Sequence, residues 1–290
     1  MDAFSAALPF VLAAEVPIYA ESLFEDVPWL AWLTNSIFVA LLVVLILVTA
    51  VRAATKRLRL VPAGIQNVVE FVVEFLYGQV EQILGPKLAP RCFPLLATLF
   101  VFILVANWFG LVPGVGTIGL AAREHHIGFF GVEELDVPLL RPATADANLT
   151  FAMALSFMVI WFGITIREVG FGGFLKHLFG PKGGMTGLMG VFLGIIFFLV
   201  GIIELISIMF RPVSLAFRLL GNIFAGETLL HVMGALGDAL GPVGGFLSSV
   251  VLPLPFYFLE ILVGLVQALV FTLLCAVYIQ LSTAHEEEEH

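Results

Sequence analysis

Two apolar stretches of this chain carry side chains that can hold or pass a charge. The run from Glu204 to Leu230, ELISIMFRPVSLAFRLLGNIFAGETLL, is hydrophobic enough to lie in a bilayer yet contains Glu204, Arg211, Arg218 and Glu227. A later run sets Glu260, Gln267 and Tyr278 in equally apolar surroundings. A charge at bilayer depth costs about 2.5–3.5 kcal/mol on insertion scales, large beside a folding stability of roughly 5–15 kcal/mol. Such charges face a partner or a wet cavity, so the default reading is functional: together these groups can line a hydrated ion path.

Helical spacing of about 100° per residue sorts them. Ser207, Ser214, Arg218, Gly221, Asn222, Ala225 and Leu229 fall on one face, which is small or polar apart from Arg218 and Leu229. Small residues admit another helix closely, so this face is shaped to receive something packed against Arg218. Glu204 projects in nearly the same direction about four turns away, whereas Glu227 points almost opposite. In the later run Glu260, Gly264, Gln267, Phe271 and Tyr278 share a stripe. Plain structural readings stand beside these. Arg218 can pair with a carboxylate elsewhere in the bundle. Gln267 can make an interhelix hydrogen bond worth ~0.6 kcal/mol. Tyr278 can anchor at the interface, and His231, one turn after Glu227, can sit near a turn.

The elements that must position these residues are membrane helices. Of 290 residues, 60% are hydrophobic and 12% charged, with a mean hydropathy of +1.08. That excludes an ordinary soluble domain. The long, continuous apolar runs argue against a β-barrel, and no basic stripe suggests nucleic acid. Net charge is −9, but four of the acids lie in the final EEEE. Cys92 and Cys275 sit in separate apolar runs and read as buried thiols, with no metal or disulfide framework.

The pattern predicts an all-α integral membrane protein of five to six membrane helices. An acidic, extracytoplasmic segment 1–28 precedes a single membrane domain, 29–282, and an acidic cytoplasmic tail, 283–290. The spans are 29–51, 92–112, 146–166, 187–233 and 256–282, with an amphipathic interfacial helix over 62–85. The first apolar run, Ala3 to Ala14, is too short to span and lacks a basic n-region, which argues against a cleaved signal peptide. Trp29 and Trp32 suit an interfacial belt, and Asp146 suits a helix cap. Arg52, Lys56, Arg57 and Arg59 follow the first span and put that end in the cytoplasm, the N-terminus outside. The 187–230 segment is too long for one upright span: at about 1.5 Å per residue it reaches ~66 Å against ~30 Å of hydrocarbon. It must break, double back or tilt, with Pro212 as a possible bend and a turn over Gly234–Gly245. His125 and His126, in the Gly- and Pro-rich loop 113–145, have no ligand pattern around them, so no metal site is assigned.

At this level of detail the chain resembles a known family. RPVSLAFRLLGNIFAGE, followed by LEILVGLVQALVFTLLCAVYIQLS, is similar to subunit a of the F-type ATP synthase. TADANLTFAMAL and VPAGIQNVVEFVVE extend the similarity over roughly residues 29–282. The resemblance implies two long tilted helices curving along a rotor ring. It implies that Arg218 faces the ring, that Asn222, Glu227 and Glu260 line the outer access path, that Glu204 belongs to the inner exit path, and that Gln267 lies near the arginine. His231, Ser214 and Tyr278 are further relay candidates. Glu260 departs from the histidine of several bacterial relatives. Two neighbouring carboxylates do not both stay ionised cheaply, so Glu227, His231 and Glu260 are expected to form one coupled cluster.

The implied partners are a ring of small carboxylate-bearing rotor subunits, peripheral-stalk subunits, the rest of the complex and membrane lipid. No cofactor is implied and no catalytic residue; the ion is a proton by default, and the membrane is expected to be a bacterial plasma membrane. A secondary transporter binding an anion at Arg218 is the alternative, and would favour internal repeats that this sequence does not show. A scaffold whose charges serve only assembly is a third reading.

Overall fold

The computed structural model describes residues 20, 22–23, 29–30, 32–56, 58–112, 115, 119–121, 135–138, 140–180, 188–238 and 251–283; stretches 119–121, 135–138, 188–191, 231 and 234–238 are described by backbone alone. Helices dominate these residues, and five are long and apolar enough to cross a membrane. Helix α1 spans Asn35–Thr55. It starts where the Thr34 hydroxyl accepts a hydrogen bond from the Ile37 N–H, and Arg52 in its last turn complements the helix dipole. It begins later than the span expected from position 29. Trp29 and Trp32 precede it and are exposed.

Helix α2, Ile65–Gly110, holds the expected amphipathic segment and second span in one bent rod. The bend is at Gly85, whose φ of 72° a side chain would oppose. Pro86 follows, and a residue before proline is steered away from helical angles, so the rod restarts at the proline itself. A short antiparallel pair, β1 (Gly119–Ala121) and β2 (Leu135–Pro138), and a 3₁₀ turn at Ala143–Ala145 lead to helix α3, Ala147–Val169. Asp146 caps α3 by accepting from the Asn148 N–H at 3.1 Å, the cap expected from sequence. Helix α4, Phe171–Phe179, is short.

Helix α5 runs unbroken from Leu188 to Asp238, with Pro212 inside it. This corrects the alternative of a break or a reversal. It also corrects the expected turn at Gly234, since Gly234–Asp238 continue the helix; the rest of that turn lies outside the described residues. At 1.5 Å per residue α5 is about 77 Å long, so in a bilayer it must tilt or curve. Only 6% of its most apolar window is buried within the chain, which leaves most of it for lipid or a partner. Helix α6, Leu254–Thr283, follows.

The main core lies between α2, α3, α5 and α6, around Leu96, Ile103, Phe157, Trp161, Leu219 and Phe271. A smaller cluster of Val39, Val43, Ala106 and Ala143 fixes α1 against α2. Cys92 and Cys275 are buried in the main core as free thiols. Polar ties cross it. Asn107 accepts from Thr144 at 2.8 Å and donates to the Gly264 carbonyl, while the Trp108 indole donates to the Ile261 carbonyl. These bonds hold the first half of α6 against the end of α2. At the other end Trp161 donates to the Tyr278 carbonyl at 2.9 Å and Thr165 to the Ser282 hydroxyl, tying α3 to α6. The segment before position 29, the 113–145 loop with His125 and His126, and the acidic tail lie mostly or wholly outside the described residues.

Candidate functional site

Helix α5 divides lengthwise into two stripes around Arg218. Leu215, Ala216, Leu219, Leu220 and Ile223 are buried against the bundle. Ser207, Ser214, Arg218, Gly221, Asn222 and Ala225 are exposed. A long helix whose stripe of small and polar residues is uncovered, and which carries an arginine at its centre, offers close approach to a partner helix. Among the described residues Arg218 makes no hydrogen bond or ion pair. The alternative in which it pairs with a carboxylate of its own bundle is therefore not the arrangement found.

One turn beyond Arg218, the Asn222 amide crosses to α6. Its Nδ2 donates to Gln267 Oε1 at 2.6 Å. Gln267 is buried, and its Nε2 has no hydrogen-bond partner among the described residues. The plain reading of Gln267, an interhelix hydrogen bond, is the arrangement found, with its partner one turn beyond Arg218. Gln267→Leu removes that bond and is expected to lower the chain's unfolding free energy by about 0.6 kcal/mol, and by no more than ~1.7. Titration of the purified subunit with SDS in mixed micelles reads this change.

A further turn along, Gly226 is buried, and a side chain there would collide with the Glu260 carboxyl. Glycine at 226 leaves the room on α5 that the Glu260 carboxyl of α6 occupies, one residue before Glu227 in the chain. Both acids are half-buried. His231 lies on the next turn of the same helix, but its side chain is outside the described residues, so its membership of the cluster rests on spacing alone.

The other end of the site differs from the sequence reading. Tyr278 is packed face-on against Arg211, whose guanidinium carbon lies 4.8 Å from its ring centroid and 5.7 Å from that of Trp161. Neither the interfacial-anchor reading nor the relay reading of Tyr278 included this contact with Arg211. Glu204 is half-buried, within electrostatic range of Arg211. The stripe expected on α6 is mostly core: Gly264, Gln267 and Phe271 are buried. Sequence reasoning missed the partnership of Arg211, Trp161 and Tyr278. The available signal was a tryptophan in the middle of a span, away from either interface, where an indole N–H needs an acceptor.

Among the described residues the arrangement makes no nucleophile–base pair. It presents one exposed cation flanked by an amide pair, with carboxylates about two to four turns away along the helix on either side. That suits transfer of a charge between positions along α5. The sequence family described as "ATP synthase A chain" matches residues 34–280. Similar curated proteins include "ATP synthase subunit a" of Geobacter sulfurreducens, 34% identical over 274 residues, 94% of this chain and 93% of the relative. Another is "ATP synthase subunit a" of Protochlamydia amoebophila, 31% identical over 271 residues, 92% and 88% of the two chains. The chain belongs to the ATP synthase A chain family, the non-catalytic, ion-translocating stator subunits of the F-type ATP synthase membrane sector.

Proposed function

We propose that this chain provides two proton half-paths that meet a rotor ring at different depths, with Arg218 between them. The exposure of Arg218 on a stripe of small residues carries this reading. A protonated carboxyl on the ring can face lipid, whereas an ionised one cannot without severe cost. Arg218 favours the ionised form of whichever carboxylate faces it. A proton therefore leaves the ring on one side of Arg218 and another joins on the other side, and the fixed cation discourages a direct leak. Each elementary charge crossing ~100 mV releases about 2.3 kcal/mol, available for rotation.

In this reading Asn222, Glu227 and Glu260 line the outer path, with His231 as a further relay candidate, and Glu204 lines the inner one. Ser214 and Gln267 flank the arginine, Gln267 through its bond to Asn222. The basic residues at the Arg52 end of α1 and at Arg167 favour a cytoplasmic position for those ends, an outside N-terminus and a cytoplasmic C-terminus. Peripheral-stalk subunits and a bacterial plasma membrane complete the assignment.

Cysteine cross-linking tests the ring-facing stripe. A disulfide needs Cα atoms within about 4.4–6.8 Å, so it forms only at close approach. Gly221→Cys is expected to cross-link to a cysteine on the outer helix of the ring, and Ile223→Cys, on the buried stripe, is not. Absence of cross-linking from Ser214, Gly221 and Ala225 alike would contradict the assignment of this face to the ring.

A further inference from the structure

Arg211 poses a problem that the proposed mechanism leaves open. By helical spacing it belongs to the exposed stripe: it is four residues after Ser207, three before Ser214 and seven before Arg218. Two cations about two turns apart would then face the ring. Yet Arg211 is half-buried, its guanidinium turned onto the rings of Tyr278 and Trp161, while Arg218 is exposed. The Trp161 indole N–H donates to the backbone carbonyl of Tyr278, which ties the Trp161 ring to the stretch of α6 that carries Tyr278. An aromatic face attracts a guanidinium through its quadrupole, and more strongly where water is scarce.

We propose that Trp161 and Tyr278 form a restraint that holds the Arg211 cation off the ring-facing stripe, so that Arg218 alone is presented to the ring carboxylates. The inference rests on the reading that this stripe faces the ring. Released from the rings, the Arg211 guanidinium is free to swing to the stripe or to Glu204. In either place it competes with Arg218 for an ionised carboxylate or traps one on the inner path. A charge added about 10 Å from Arg218, at an effective dielectric constant of about 20, alters a charge-transfer step by roughly tenfold. Trp161 and Tyr278 are positioning residues here; neither exchanges a proton.

The test is epistasis in the assembled complex, read as ATP-driven acidification of membrane vesicles per assembled complex. Tyr278→Leu is expected to slow pumping by roughly tenfold. Tyr278→Phe keeps the ring and is expected to stay close to wild type. Arg211→Gln alone retains pumping, and Arg211→Gln combined with Tyr278→Leu recovers to the level of Arg211→Gln. That rescue is the deciding result, since a packing defect at Tyr278 is not repaired by removing a cation. A double variant as slow as Tyr278→Leu overturns the proposal. So does loss of pumping in Tyr278→Phe, which makes the phenol a relay, or in Arg211→Gln, which makes the guanidinium itself necessary. Tyr278→Met serves in place of Tyr278→Leu if the latter does not assemble; failure of both to assemble with Arg211 present or absent makes Tyr278 a packing residue and also overturns it. Normal pumping by Arg218→Ala in the same series would instead remove the underlying assignment of Arg218.

Discussion

Replacing Gly226 by Val is expected to lower ATP-driven proton pumping by roughly 10–100-fold in complexes that still assemble. The reason is local. Glu260 on α6 lies directly on Gly226 of α5, in the space a side chain would need. The expected loss comes from displacing the carboxyl, not from strain in the fold: each ~1.4 kcal/mol that its absence adds to the transfer step is tenfold in a rate. The atoms in the way are the far end of the flexible Glu260 side chain, so the carboxyl gives way and leaves its place on α5 while the helices stay where they are. Gly226→Ala is expected to act in the same direction with a smaller effect. Acidification of vesicles, normalised to assembled complex, gives both values. Wild-type pumping by Gly226→Val would mean that the position of Glu260 on α5 is not needed for ion transfer.

Most of the face grouped by helical period on α5 is exposed: Ser207, Ser214, Arg218, Gly221, Asn222 and Ala225 are, Leu229 is half-buried, and the large side chains of Met209, Phe210 and Phe217 are exposed as well. The Asp146 cap was legible because it depends on short-range chemistry. The resemblance put Gln267 near the arginine; the structure bonds Gln267 to Asn222, one turn beyond Arg218 on α5. What sequence did not yield depends on how separate helices meet. Pro212 left a break in α5 open, and the helix continues through it, with Leu215, Ala216 and Leu219 packed in the main core just beyond. Arg211 and Tyr278 were read separately because they stand 67 positions apart in sequence; only the packing of α5 on α6 brings the guanidinium onto the ring. Gly226 looked like one small residue among several until the Glu260 carboxyl was found against it.

Arg218→Ala carries the largest expected effect. Two unit charges 4 Å apart at an effective dielectric constant near 20 interact by about 4 kcal/mol, which corresponds to roughly a thousandfold in a rate. Arg218 stands at the centre of the exposed stripe without an ion pair among the described residues, so in the proposed mechanism a ring carboxylate meets an uncommitted cation. Removing the guanidinium leaves the ring carboxylates without the group that favours their ionised form, while the buried stripe that holds α5 in the bundle is untouched. Assembly is therefore expected to survive and transfer is not. The direct measurement is ATP-driven acidification of vesicles carrying Arg218→Ala, with assembly of the complex quantified on the same sample. Pumping at background in a fully assembled complex is the predicted result; normal coupled pumping would reduce Arg218 to a structural charge and contradict the mechanism.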